Sequence, residues 1–467
     1  MNTKNTVSRP PIVVVLGHVD HGKTTLLDAI RKTDIAKKEA GGITQKIGAS
    51  QITVQGERKI TFIDTPGHAA FSQMRSRGAK VADLAILVVA ADDGVQPQTK
   101  EAIEHIRESQ LPFIVAITKA DLPSASAETV LGQLEKEGVS LEKRGGDNPW
   151  LPISAKTGTG IQDLLDLILL LAEVKEIKGD PEGPLEAVVI ETSKSKGGCL
   201  ISAVVRNGKI SLGDTIFAEK ENCKVKNLTT TTGPVTEVKP GDPVQILGFS
   251  RLPVVGDKIR ATAIPFTFSD SQSLRNQAEI TEGQIGIILK AQNAGSLEAI
   301  IDSLPEEIAV VGSGVGDIFE GDVLSAKASG AELIISFESK PASSVLKLAE
   351  AEGVEIISFD IVYKLFEELE ERIKKGKAVV LGKAEVIAEF PFDGKKIAGC
   401  RVTQGKITKG DEILLMRGEE QVAKVKAVSL KKQKQEISEA TGGVEFGVLF
   451  EPQFDFKVGD VLISQQR

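Results

Sequence analysis

The sequence predicts an α/β phosphate-loop domain, then a small β-barrel, a second α/β domain, a connecting helix and a C-terminal β-barrel. Three observations carry this order. Short apolar runs alternate with helical patterns over residues 12–174. The stretch GHVDHGKT, of the form G-x-x-x-x-G-K-[ST], follows the first apolar run and opens a helix. The segment VRNGKISLGDTI at 205–216 returns as VTQGKITKGDEI at 402–413, an offset of 197 residues.

Residues 1–8 are polar and read as a disordered tail. The first α/β domain spans 9–177. Its strands are IVVVLG, KITFID, LAILVVA, FIVAIT and LPIS, with the last at 151–154 and KITFID placed at a sheet edge. Continuous apolar strands between helices mean a mostly parallel sheet covered on both faces. Helices are expected at 23–32, 97–109, 127–137 and 161–174; the last carries Leu164, Leu165, Ile168 and Leu171 on one face. The stretch KGDPEGP at 178–184 is a linker by composition. Short strands with Asn-Gly and Gly-Asp turns then predict a barrel over 183–265. The α/β pattern returns over 272–361, with helices at 296–304, 320–328 and 342–352. A charged helix at 362–376 leads to a barrel at 377–467. The repeated segment favours two copies of one barrel type over two hairpins sharing a turn.

Composition narrows the function. Apolar residues make up 41% and charged residues 26% of 467, an ordinary globular balance. Three cysteines, an odd number, exclude a disulfide scaffold. No CxxC or HxxxH pattern points to structural zinc. No apolar run approaches the ~18 residues of a membrane span, and the N-terminus lacks a secretory core. The reading is a cytoplasmic protein with no membrane partner. A net charge of −8 excludes a generally basic surface, but leaves room for a local Lys patch. With 17 Phe, one Trp and one Tyr, base stacking is not the main mode of any RNA contact.

The phosphate-loop stretch is Gly17, His18, Val19, Asp20, His21, Gly22, Lys23 and Thr24, followed by Thr25. Its glycines let backbone N–H groups face phosphate oxygens, and the helix N-terminus adds positive potential. Lys23 bridges β- and γ-phosphates in this reading, and Thr24 ligates Mg²⁺. DTPG adds Asp64 for Mg²⁺ and a Gly67 N–H for the γ-phosphate. GGIT adds Thr44 as a second Mg²⁺ ligand, present only while the γ-phosphate holds its loop. TKAD supplies Thr118, Lys119 and Asp121; Asp121 can accept from two N–H donors of guanine that adenine lacks. SAK (Ser154, Ala155, Lys156) offers backbone donors to the guanine oxygen. Five elements at successive strand ends read as a GTP-hydrolysing switch binding GTP/GDP and Mg²⁺. Thr118 stands where Asn is usual, which predicts weaker base contact with guanine preference kept through Asp121. His18 and His21 read as loop packing. His68, directly after Gly67, is the catalytic candidate, placed to orient the attacking water.

Together, GHVDHGKTT, EAGGITQKIGA and FIDTPGHAAF resemble the translational GTPases. NGKISLGD, GSGVGDIFEGDVLSAKASGA, EGVEIISFDIVY and KIAGCRVTQGKITKGD extend the likeness to the bacterial translation initiation factor 2 family, without its long N-terminal extension. The resemblance implies a ribosome-stimulated GTPase that promotes formylmethionyl initiator tRNA binding to the small ribosomal subunit and then subunit joining. Its implied partners are both ribosomal subunits, that tRNA and other initiation factors, with the chain itself a monomer. In the family the last barrel holds the acceptor end. Carried over, that pocket comprises Cys400, Lys431, Lys432, Glu445 and Phe446. Phe446 replaces a Cys, Lys432 an Arg and Gln433 an aromatic. Cys400 read alone is equally a small buried core residue, and the lysines a solvated face. The competing readings are another ribosomal or tRNA-carrying GTPase, and a metabolic GTPase with the same G domain.

Overall fold

The computed structural model describes residues 6–33, 44–195, 197–219, 221–262, 280–281, 283–331, 333–376, 379–392, 395–418, 420–433, 435–452 and 454–466. The chain divides into two compact units, Met1–Leu365 and Phe366–Arg467. Among the described residues no helix is long and apolar enough to cross a membrane.

The first unit opens on β1 (Val7–Ser8), β2 (Ile12–Gly17), α1 (Lys23–Arg31), β3 (Gly48–Thr53), β4 (Lys59–Asp64), α2 (Ser72–Val81), β5 (Leu84–Ala90), α3 (Pro97–Glu108), β6 (Phe113–Thr118), α4 (Ala127–Lys136), β7 (Trp150–Pro152), α5 (Ile161–Val174) and β8 (Lys178–Gly179). The main sheet runs β3-β4-β2-β5-β6-β7. It is parallel except for β3, which is antiparallel to β4. β2 and β5 are buried along their whole length, which is why neither alternates polar and apolar residues. The loops after β2, β4, β6 and β7 emerge at one edge of the sheet, where open α/β sheets bind ligands.

Two expectations need correcting here. The tail is not disordered at its end: Val7 pairs with Gly179 and Ser8 with Lys178, the first two residues of the expected linker. Beside them, the Arg9 guanidinium grips both Asp83 oxygens at 2.7 Å. Residues 1–5 lie outside the described residues. β4 is not an edge strand either, because β3 lies outside it. The sequence reading missed both β3 and α2.

The two barrels share one topology. Glu186–Ser195, Gly198–Asn207, Pro243–Phe249, Glu221–Thr230, Thr215–Ala218 and Lys258–Arg260 pair in that order, and the last returns to the first. In the second unit Val379–Phe392, Lys395–Thr408, Glu445–Glu451, Glu420–Lys432, Glu412–Arg417 and Val461–Gln466 close in the same way. The repeated Gly-Asp pairs explain the sequence signal. Asp214 and Asp411 accept the N–H three residues earlier, from Ser211 at 2.7 Å and Thr408 at 2.8 Å. Asp257 and Asp460 do the same for Val254 and Lys457. A carboxylate that satisfies its own turn fixes the turn in each copy.

The first unit ends in a parallel sheet of Ile308–Val315, Ile285–Ala291, Leu333–Phe337 and Glu355–Phe359, which follows the first barrel in sequence. It carries α6 (Ala294–Asp302), α7 (Glu320–Ser329) and α8 (Ser343–Glu352). α6 starts two residues before the expected position because Asn293 Oδ1 accepts the Ser296 N–H at 2.8 Å and caps it. α9 (Val362–Gly376) follows, and the boundary between the two units falls inside it. The expected joints at 265–272 and at 377 lie outside the described residues.

Within the first unit, barrel and helices meet at a buried acid. Glu191 Oε1 accepts the N–H groups of Thr192 and Gly295, at 2.8 and 3.1 Å. Burial pushes its carboxyl up to about 7 against those donors. A raised folded value means stability is full below the ordinary carboxylate range and is lost as pH rises through about 7. Glu191→Gln removes that loss. Thermal or urea unfolding at pH 6 and pH 8.5 should show wild type weakening by roughly 1 to 1.5 kcal/mol more than the variant. Parallel pH profiles would refute this.

Candidate functional site

β2 delivers the chain into the phosphate loop at Gly17, whose φ is 151°. A Cβ there would overlap the Val88 carbonyl oxygen, so no other residue fits. Asp20, with φ 59°, and Gly22, with φ 85°, turn the loop, and α1 starts at Lys23 with its N-terminus facing it. The buried Lys23 donates from Nζ to the carbonyls of Gly17 at 2.9 Å and His18 at 2.6 Å. Burial brings its ammonium down to about 8, with Asp64 opposing. Gly67 approaches from β4, and a Cβ on it would overlap Lys23 Nζ. Sequence and structure thus bring Lys23, Asp64 and Gly67 together.

The loop is braced by residues that the sequence reading missed. The Val19 N–H donates to Gln98 Oε1 on α3 at 2.9 Å. His21 Nε2 lies 3.0 Å from Asp93 Oδ2, and the His18 and His21 rings meet edge to face at 5.0 Å. Burial holds both imidazoles below 6.5. Loop packing, the plain reading of both, fits this placement.

Thr24 Oγ1 and Thr44 Oγ1 lie 2.8 Å apart, and the buried Asp64 ends the neighbouring strand. Hydroxyls and a carboxylate are the hard oxygen donors that a small divalent cation takes. Thr25 is exposed beside Thr24. Residues 41–43 of the GGIT stretch lie outside the described residues. Gln45, next after Thr44, donates from Nε2 to the Asp360 carbonyl at 2.7 Å. Its Oε1 accepts the Val362 N–H, where α9 begins, at 2.9 Å.

On the base side, Asp121 is exposed, and Ser154 Oγ donates to its Oδ1 at 2.7 Å. That bond is the main reason its carboxyl stays below the ordinary range. Thr157 N–H in turn donates to Ser154 Oγ at 3.2 Å, which fixes the turn holding Ala155 and the exposed Lys156. Lys119, with φ 55°, is tied to Asp92 at 3.2 Å. Thr118 is buried, and its hydroxyl donates to the His21 carbonyl at 2.6 Å. It braces the phosphate loop from the end of β6.

His68 caps a short 3-10 turn, Ala69–Phe71: the Ala70 N–H donates to its Nδ1 at 3.2 Å. Burial, with the Arg75 charge acting the same way, holds the ring below 6.5 and therefore neutral at pH 7. An Nδ1 that accepts leaves the proton on Nε2. His68 therefore offers a hydrogen-bond donor to its surroundings, and not a base.

In the second unit, Cys400 pairs with Phe446 on the neighbouring strand, and Arg401 with Glu445. Cys400 and Phe446 are core residues at 0% and 3% exposure, and burial pushes the Cys400 thiol far up. The core alternative for Cys400 therefore holds, and neither side chain presents surface to a ligand. Glu445, Lys431 and Lys432 are exposed, and Glu445 is bridged to Arg401 at 2.6 Å.

Comparison with known proteins follows the same division. A family model described as the elongation factor Tu GTP binding domain matches residues 8–174. Elongation factor G domain 2 matches 184–262, and translation-initiation factor 2 matches 267–370. The "Translation initiation factor IF-2" of Dehalococcoides mccartyi is 41% identical over 97% of this chain and 82% of its own length. That of Thermus thermophilus is 40% identical over 99% and 87%. Among solved structures, GDP-bound aIF5B from Aeropyrum pernix is 28% identical with a TM-score of 0.49, over 98% of this chain and 92% of that one.

Proposed function

The chain belongs to the translation initiation factor IF-2 family, a translational GTPase of initiation, and from that premise we propose how its residues share the work. The observation that carries the reading is the phosphate cradle. Buried Lys23 sits between two loop carbonyls, with the Thr24 and Thr44 hydroxyls 2.8 Å apart beside Asp64. Lys23 and the loop N–H groups take the β- and γ-phosphates. Asp121 reads guanine, with Ser154 holding its carboxylate in place. Thr24, Thr44 and Asp64 are the residues that hold Mg²⁺, which when bound neutralises charge on the β- and γ-phosphate oxygens. Water attacks the γ-phosphorus, the bond to the β,γ-bridging oxygen breaks, and GDP and phosphate leave. The large ribosomal subunit brings the His68 loop to the γ-phosphate. There Nε2–H meets the developing charge.

The second unit reads the initiator tRNA. Lys431 and Lys432 meet phosphates at its acceptor end, with Glu445 nearby, while Cys400 and Phe446 stay in the barrel core beneath them. The test is protection of the formylmethionyl-tRNA ester from spontaneous hydrolysis, with unformylated methionyl-tRNA beside it. Selective protection is expected. Reversing both lysines to Glu should weaken binding and cut the salt slope by about 1 to 2. Equal handling of both tRNAs would remove formyl selection from the reading. An unchanged affinity and salt slope would remove the lysines.

A further inference from the structure

We propose that Arg75 and Glu101 are positioning residues for His68, holding its loop at a fixed offset from the phosphate loop. The inference rests on the catalytic reading of His68 given above. Arg75, on α2, is 0% exposed. One terminal nitrogen donates to the carbonyls of Pro66 at 3.0 Å and His68 at 2.6 Å. The other donates to both oxygens of Glu101 on α3, at 2.7 and 2.8 Å. The two carbonyls flank Gly67, so the guanidinium fixes the backbone that presents both Gly67 and His68.

Glu101 is itself held. His105 Nε2, one turn further along α3, lies 3.2 Å from its Oε1. One turn earlier, Gln98 accepts the phosphate-loop N–H of Val19. Residues three and four apart share a helix face. A single face of α3 therefore grips the phosphate loop through Gln98 and the His68 loop through Glu101 and Arg75. Phosphoryl transfer depends on placement, and an error of about 1 Å costs on the order of 10²-fold. Packing alone does not call for this arrangement, because apolar side chains replace buried ion pairs without loss of stability in other folds.

The experiment places Glu101→Gln and Arg75→Lys in the full chain, each with and without His68→Ala, and follows ribosome-stimulated GTP turnover. Glu101→Gln keeps shape and loses charge. Arg75→Lys keeps charge but cannot span both carbonyls and Glu101. Each single substitution should lower kcat by roughly 10- to 100-fold. The KM for GTP and the affinity for a fluorescent GDP analogue should stay within about threefold, as expected when only transition-state placement is lost. In the His68→Ala background the same changes should cost less than about twofold, because residues acting as one unit are not additive. Penalties that multiply regardless of His68, or single variants with unchanged kcat, would overturn the positioning role while leaving His68 catalytic. Full stimulated turnover in His68→Ala alone would overturn both.

Discussion

Replacing His68 with alanine is expected to lower ribosome-stimulated GTP turnover by roughly 10²–10³-fold, the usual cost of losing one donor aimed at transition-state charge. GTP affinity should stay within about threefold, since the lost contact belongs to the transition state. The geometry supports both halves. In the proposed reading Lys23 and the loop take the phosphates; the Lys23 ammonium is aimed by the Gly17 and His18 carbonyls, whereas the His68 ring bonds its own turn at Ala70. Its Nδ1 is occupied by the Ala70 N–H, so the neutral ring carries its proton on Nε2. That group can stabilise charge on a phosphoryl oxygen or hold a water, but it cannot remove a proton from one. The pH sign follows. With its value held below 6.5, the ring stays neutral as pH rises from 7 to 8.5, and His68 adds no slope there. It is protonated only as pH falls below that value, and the Ala70 cap is then lost. His68→Gln, which keeps an N–H donor, should recover part of the rate. A stimulated kcat that climbs with pH between 7 and 8.5 and loses that climb in His68→Ala would restore a general-base role and refute this one.

The phosphate and guanine elements were legible because they demand particular residues at fixed spacing. Only glycine fits at Gly17 against the Val88 carbonyl, and a chemist needs no fold to see Lys23 one residue after Gly22. Strands β2 and β5 were legible because burial on both faces leaves an unbroken apolar run. α2 was not. Its sequence, SQMRSRGAKV, has few apolar residues, and two of its contacts are ionic: Arg75 with Glu101 and Arg77 with Glu298. An arginine on a polar helix reads as surface, yet Arg75 is fully buried, and no local pattern announces a partner 26 residues away. Gln45, Gln98 and Asp93 escaped for the same reason. The barrel core carried a signal that can be read. Alternation puts Cys400 and Arg401 on opposite faces, and likewise Phe446 and Glu445. Inward Cys400 and Phe446 were therefore implied by the same period that makes Arg401 and Glu445 exposed. The bond from Thr118 to the His21 carbonyl was not legible, because strand position was known and side-chain direction was not.

The second large effect belongs to Lys23. Lys23→Ala should weaken GTP and GDP binding by roughly 10²–10³-fold, the cost of leaving a buried charge without its partner. The ammonium is buried, aimed by the Gly17 and His18 carbonyls, and hemmed in by Gly67. That confinement makes Lys23→Arg a poor rescue, because a planar guanidinium has no room where even a Cβ on Gly67 would overlap Nζ. Burial supplies a second, independent signature. In the free protein the ammonium titrates near 8, and bound phosphate favours its charged form. Nucleotide affinity should therefore be level below pH 7 and decline as pH rises past about 8, as neutral Lys23 must first take up a proton. Titration with a fluorescent GDP analogue between pH 6.5 and 9 measures both effects. Lys23→Ala should remove the decline together with the affinity, since the group that titrates is gone. An alanine variant that binds within about fivefold of wild type, or that keeps the wild-type pH slope, would mean that the loop N–H groups alone carry the phosphates.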